Sequence, residues 1–466
     1  MASEPPGTPG PKGGAPDRLL RLFSDVRPGE SMTVLLMSAN IFLILVGYYV
    51  LKTVREPLIL ITGGAEIPGL GGAEVKSFSA AGQALLLMGF IPLYSWFASR
   101  VGRVRLIVGF NIFFILCIEV FYLAGRTAVP YTGIAFFIWV GIFNNSVVAQ
   151  FWSFANDIYS RPAGERLFPI IVVGMTAGTP IGSKIAATLF GRGVDPYTMM
   201  QLGVIALVIS LLLYLVVHRR EEHRPQLVSR PVGTAPAPVD EPPSGRGGFS
   251  LIFRSRYLLL IALTLVLANR VNTTGEYILD RLILAEAEAH GLVDAERSAF
   301  IGEFRGNFYF WVNIAAVLIQ AFVVSRLVRS LGIAGVVFAL PVVAFGVYGL
   351  VAAGAGFVVT RWAKTAENST DYSIMNTAKA MLWLPTTQEE KYKAKQATDT
   401  FFVRVGDVMS AVLVFVGTSW LLLSTAGFAA FNLALVAVWL VVAAVLVREN
   451  RRLTAVSEAR GEADAA

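Results

Sequence analysis

Residues 51–56, Leu-Lys-Thr-Val-Arg-Glu, put two cations and a carboxylate inside an apolar run that starts near Thr33 and resumes through Ile61. A charge at bilayer depth costs about 2.5–3.5 kcal/mol on insertion scales, so such residues usually face water and serve a solute or an ion. A second cluster reads Asn269-Arg270-x-Asn272-Thr273-Thr274-Gly275-Glu276, with Arg270 near mid-depth of its segment. In a third, Arg361, Lys364, Asn368, Asp371 and Met375 recur at intervals of three and four, which makes one helical face polar. Lys184, Arg404 and Asp407 add charges at similar depth. Guanidinium groups donate paired hydrogen bonds that suit a phosphate or another planar anion. The expected chemistry is therefore reversible capture of an anion, with Lys52, Arg55, Arg270, Arg361, Lys364, Asn269 and Asn368 as its contacts. Glu56, Glu119, Glu276, Glu367 and Asp371 are the candidates for holding those cations between passengers or for carrying protons. A competing reading pairs the charges off inside the protein, Lys52 with Glu56 and Lys364 with Glu367 or Asp371, in structural or gating roles.

Other chemistry finds little support. Cys117 is the single cysteine, which excludes a disulfide framework or a cysteine metal cluster. His218, His223 and His290 fall in expected loops or helix ends, so no metal site is expected. Gly182-Ser183-Lys184 lacks the order of a phosphate-binding loop and follows no strand. Gly174, Gly178 and Gly182, four apart, read instead as a face where another helix approaches closely. With no Ser-His or Cys-His spacing in the apolar segments, no catalytic residue and no cofactor is expected, and the chain does not read as an enzyme.

The elements that must position these residues are membrane helices. Of 466 residues, 55 % are hydrophobic and 15 % charged, and the apolar residues come in blocks of membrane-crossing length. Twelve spans can be placed, at roughly 32–60, 78–98, 106–125, 131–156, 167–190, 197–218, 257–280, 301–325, 333–354, 356–380, 399–424 and 427–447. Of the 39 Lys and Arg, 26 fall in loops and tails on the side of the N-terminus. That bias puts both termini in the cytoplasm, and it explains the net charge of +7 without a nucleic-acid partner. Residues 1–17, rich in Pro and Gly, show no signal peptide. The expected organisation is a tail over 1–30, a six-helix bundle over 31–218, a cytoplasmic linker over 219–256, a second bundle over 257–447 and a tail over 448–466.

The two halves share features. Ser99-Arg100-Val101-Gly102-Arg103 follows the second span and Ser325-Arg326-Leu327-Val328-Arg329 follows the eighth, each a short basic segment of Ser-Arg-x-x-Arg form. Lys52 and Glu56 in the first span have counterparts in Arg270 and Glu276 in the seventh. Two parallel six-helix halves around a central cavity describe the major facilitator architecture, in which Arg100, Arg103, Arg326 and Arg329 would sit in gating loops.

Several stretches resemble the ATP:ADP antiporter family, the nucleotide translocases of obligate intracellular bacteria and plastids. They are residues 48–56, Tyr-Tyr-Val-Leu-Lys-Thr-Val-Arg-Glu, residues 151–157, Phe-Trp-Ser-Phe-Ala-Asn-Asp, and the longest run from Asp371 through Leu384-Pro385 and Glu389-Glu390-Lys391-Tyr392 to Arg404. The resemblance implies a twelve-helix fold and exchange of phosphorylated nucleotides, ATP and ADP, through basic cavity residues. It is closer to the free-living bacterial branch than to the translocases. Residues 130–156 lack the acidic residue that nucleotide carriers usually have in the fourth span, and the first-span motif is Lys-x-x-Arg-Glu where the translocases tend toward Lys-Asp. The expectation is a monomeric secondary transporter in the bacterial inner membrane, its partners lipid and a small anionic solute. A proton-coupled symporter using Glu56, Glu119 or Asp371 is the first alternative, and a non-transporting scaffold or sensor built around the 219–256 loop is the second.

Overall fold

A computed structural model describes residues 25–27, 29–98, 100–222 and 247–465. The N-terminal tail up to residue 24 and most of the expected linker, residues 223–246, lie outside the described residues. Twelve long helical segments follow one another. In the first half they are α1 (Ser31–Pro57), α2 (Gly72–Ala98), α3 (Arg103–Arg126), α4 (Thr132–Ile158), α5 (Arg161–Gly191) and α6 (Pro196–Glu222). In the second they are α7 (Arg256–Ala289), α8 (Asp294–Phe322), α9 (Val324–Ala352), α10 (Phe357–Thr370), α11 (Val403–Ser419) and α12 (Thr425–Ala465). Among the described residues nine helices are long and apolar enough to cross a membrane. The three other segments, α2, α8 and α10 with its continuation to Leu382, coincide with the remaining expected spans. The molecule is an all-helical integral membrane protein.

Helix boundaries move two charges. The second and eighth spans were expected from about residues 78 and 301, but their helices start at Gly72 and Asp294. Lys76, expected in the loop before its span, and Arg305, expected at the very end of its span, therefore stand inside helices. Asp294 and Glu296 in the first turn of α8 favour its early start, since carboxylates complement the positive helix N-terminus. The basic segment after α8 is helical too. It occupies the start of α9, up to Gly332, whose φ of +60° breaks the helix in a conformation suited to glycine.

Several helices widen into π-helical turns. α1 does so at Leu58–Gly63, directly after Pro57, whose ring lacks a backbone donor. α10 does so at Asp371–Met375, and the approach to α11 does so at Glu390–Ala394 and Thr398–Phe402. Such turns concentrate at functional sites.

One hydrophobic core fills each half. Met37, Ile41, Phe114, Phe143 and Leu207 are buried in the first, and Leu258, Val271, Val337, Val414 and Trp439 in the second. A third cluster, with Tyr49, Ile59 and Val75 from one half and Leu279, Ile301, Phe308 and Val312 from the other, joins them. On α3, Phe113, Leu116, Val120 and Leu123 stay exposed at helical spacing, the stripe a lipid-facing helix presents.

Glycines set the closest helix approaches. A Cβ at Gly174, Gly178 or Gly182 would lie 2.3–2.7 Å from the carbonyl oxygens of Ser38, Phe42 and Val46, so their four-residue spacing serves packing of α5 on α1. Between the halves, Gly306 of α8 meets the backbone of Ala187 in α5, and Gly302 meets the ring of Phe190. Both contacts lie at the end of the bundle away from the termini.

Candidate functional site

A cavity of about 250 Å³ lies between the halves, lined by α1, α2 and α4 on one side and α7, α8, α10 and α11 on the other. Its floor, toward the end away from the termini, is a network of ionised side chains drawn from both halves. Glu56, at the C-terminal end of α1, is fully buried. Lys76 Nζ of α2 reaches Glu56 Oε2 at 2.5 Å and Asp280 Oδ2 of α7 at 2.9 Å. Arg305 of α8, also fully buried, pairs with Glu276 at 2.8 Å, with Asp280, and with Glu56 at 3.5 Å. Arg55 Nε completes the set at 3.2 Å from Glu56. Tyr309 Oη donates to Glu56 at 3.0 Å, and Asn368 Nδ2 donates to Glu276 at 3.0 Å. Desolvating each of these ions costs several kcal/mol, so the cluster is tolerable only because every member has partners of opposite sign.

The network is also a latch. Lys76–Asp280, Arg305–Glu56 and Tyr309–Glu56 all cross from one half to the other. Tyr277 Oη donates to Glu74 at 2.5 Å and Tyr49 Oη to Asn313 at 3.2 Å, adding two more crossings. With the α5–α8 glycine contacts, they close the bundle on the side away from the termini.

Lys52 stands apart. It lines the cavity, is 8 % exposed, and among the described residues has no carboxylate within ion-pair distance. Its ammonium lies 4.2 Å from the Tyr309 ring centroid and 5.0 Å from that of Tyr49. Aromatic faces stabilise a cation without neutralising it. Across the cavity, Asp407 of α11 accepts from Asn269 Nδ2 at 2.8 Å and from Thr273 Oγ1 at 2.9 Å, with Arg404 at 3.7 Å.

The structure brings Lys52, Arg55, Glu56, Asn269, Glu276 and Asn368 together on the cavity wall. Lys364 and Glu367 stand behind it as a buried pair at 2.9 Å, with Asn272 Oδ1 2.8 Å from the ammonium and Tyr348 Oη donating to the carboxylate. Arg270 turns toward α12, with its guanidinium 5.6 Å from the Phe431 ring. Arg361 lies over Phe304 at 5.2 Å and Trp362 at 5.3 Å. Asp371 opens the π-helical turn of α10, whose next residue, Tyr372, lines the cavity. Glu119 accepts from Gln201 between α3 and α6, within the first half. Arg100 packs on the Trp96 ring at 3.9 Å, Arg326 donates to the carbonyl of Phe322, and Arg329 is exposed. The side chain of Arg103 is outside the described residues.

Sequence reasoning missed Lys76, Asp280, Arg305, Tyr309 and, as a cavity residue, Asp407. Asp280 had a signal: it lies one helical turn beyond Glu276 and so on the same face of α7.

Comparison with known proteins places the chain among carriers by similarity. Residues 347–455 match the family model described as TLC ATP/ADP transporter. The chain is 27 % identical over 353 residues to ADP,ATP carrier protein 1 of Chlamydia trachomatis serovar D, an alignment covering 67 % of this chain and 63 % of that carrier. It is 25 % identical over 361 residues to ADP,ATP carrier protein 1 of Chlamydia pneumoniae, covering 68 % and 67 %. The chain thus spans slightly less than two thirds of the first carrier's length, and its resemblance to the ATP:ADP antiporter family stands at modest identity. Among solved structures, a POT family transporter superposes with a TM-score of 0.66 at 13 % identity, over 90 % of this chain and 98 % of that one. A bacterial homologue of the iron transporter ferroportin, inward-facing, gives 0.62 at 14 % identity over 90 % and 98 %. The fold is that of major facilitator transporters; these relatives are carriers, not enzymes.

Proposed function

We propose that the chain exchanges a phosphorylated anion, adenine nucleotides foremost, across a bacterial inner membrane by alternating access, with both termini cytoplasmic and one chain as the working unit in its lipid. The observation that carries this reading is Lys52, an ammonium on the wall of an interhelical cavity that meets aromatic rings and, among the described residues, no carboxylate within ion-pair distance. A cation held this way has no directly paired carboxylate, and an anionic passenger supplies a direct partner. Arg55, beside it and shared with Glu56, adds a planar donor set for phosphate oxygens.

The same cavity links loading to movement. A phosphate that draws Lys76, which also lines the cavity, away from Asp280 removes one crossing of the latch between the halves. Opening of the far side then follows from loading, and an empty cavity keeps the latch shut. Such coupling favours exchange over net uptake.

Proteoliposomes preloaded with ADP, ATP, sugar phosphates or inorganic phosphate test the reading. Uptake of labelled ATP or ADP only when a counter-solute is inside is the expected result. Uptake that follows an imposed pH gradient with no counter-solute would favour the symporter, and uptake of uncharged solutes alone would overturn the anion reading.

A further inference from the structure

We infer that the cavity has a second recognition pole, in which Asp407 accepts hydrogen bonds from the hydroxyl or amino end of the phosphorylated solute; this rests on the anion-exchange reading above. The cavity wall is chemically divided. Lys52 and Arg55 come from α1, whereas Asn269, Asn272 and Thr273 of α7 and the Arg404–Asp407 pair of α11 come from the second half. Asp407 is held rather than spent. Asn269 Nδ2 and Thr273 Oγ1 both donate to Oδ1, and Asn269 also anchors to the carbonyl of Val403, so the carboxylate is fixed in direction. Its other oxygen, Oδ2, faces the Arg404 guanidinium in a long ion pair of 3.7 Å, which leaves room for a closer donor.

A carboxylate on the wall of an anion site repels phosphate and would be a liability if the whole passenger were anionic. It becomes useful when the passenger has a neutral end rich in donors, because Oδ2 can only accept. The side-chain amides of Asn269 and Asn272 extend that end of the wall with further polar groups. The two poles together describe a phosphate ester whose other end bears hydroxyl or amino groups, such as a sugar phosphate or a nucleotide, and they discriminate against inorganic phosphate. A site that offers a buried partner to such a donor rejects an analogue lacking it, because the partner is then left unpaired.

Asp407→Asn tests this, since an asparagine oxygen still accepts from Asn269 and Thr273 while the charge is lost. Exchange of ADP, glucose 6-phosphate and inorganic phosphate would be measured in proteoliposomes holding wild-type or D407N protein, each first checked as monodisperse in detergent. The expected result is a fall of tenfold or more in the ratio of kcat/KM for ADP and for glucose 6-phosphate to that for inorganic phosphate. An unchanged ratio would assign Asp407 to packing of α11 on α7 and overturn the inference alone, as would a wild-type protein that moves inorganic phosphate but no ester. A wild-type protein that moves no phosphate compound overturns the underlying exchange reading as well.

Discussion

At the scale of single residues, Lys52 decides whether an anion is held. Its neighbours Tyr49 and Tyr309 provide a face but no countercharge, so its attraction for a passenger is not spent internally. Lys52→Met is expected to lower kcat/KM for exchange at least tenfold, the equivalent of about 1.4 kcal/mol, while the protein still purifies as a monodisperse species. Wild-type rates in that variant would remove Lys52 from the passenger's path. The sequence pointed to Lys52 because a cation in an apolar run is costly wherever it sits. It pointed equally to Arg270, Arg361 and Lys364, which the structure turns elsewhere: toward Phe431, over Phe304 and Trp362, and against Glu367. The face a side chain takes depends on which helices surround it, and periodicity within one helix says little about that. The pairing of Lys364 with Glu367 was legible at a spacing of three; that of Lys52 with Glu56 was equally legible and does not occur, because Lys76 and Arg305 occupy Glu56 instead.

At the scale of elements, the apolar blocks matched nine helices long and apolar enough to cross a membrane among the described residues. The other expected spans coincide with α2, α8 and α10, and helix ends were the weak point. Starting α2 at residue 78 left Lys76 as a loop charge and starting α8 at 301 left Arg305 at the very end of its span, although both belong to the buried network. Hydropathy marks where a helix meets lipid, while these two helices extend past that point to reach across the molecule. The glycines of α8 were likewise unmarked, since Gly302 and Gly306 gain meaning only from α5 opposite. A Cβ at Gly306 would stand 2.7 Å from the backbone nitrogen of Ala187, so Gly306→Leu acts as a wedge between the halves. The expected consequence is a carrier biased open on the side away from the termini. Attachment of a membrane-impermeant maleimide at Ser77→Cys, buried on the cavity wall, would then proceed several-fold faster from that side in protein lacking Cys117. Equal rates would mean that α5 and α8 do not govern the opening.

At the scale of the whole molecule, the latch is electrostatic and should be transferable. Lys76 and Asp280 belong to different halves and meet at 2.9 Å in a buried setting. Lys76→Asp or Asp280→Lys alone sets like charges against one another and is expected to cost most of the exchange activity. The double reversal K76D/D280K restores that attraction but sets the new carboxylate against Glu56 and the new ammonium against Arg305, so a partial recovery above either single variant is expected. No recovery in the double variant would show that the two residues act separately.

One further consequence follows from the charges around the cavity. Lys52, Arg55, Lys76, Arg404 and the adjacent Arg305 supply five cations, and Glu56, Glu276, Asp280 and Asp407 supply four carboxylates. With all of them ionised, an empty carrier bears one surplus positive charge at its centre, which a monovalent passenger cancels and a more highly charged one reverses. Trading passengers of unequal valence therefore moves net electricity. Each elementary charge carried fully through the bilayer is worth about 2.3 kcal/mol per 100 mV, so the cell's voltage, and not concentration alone, helps choose which passenger leaves and which enters.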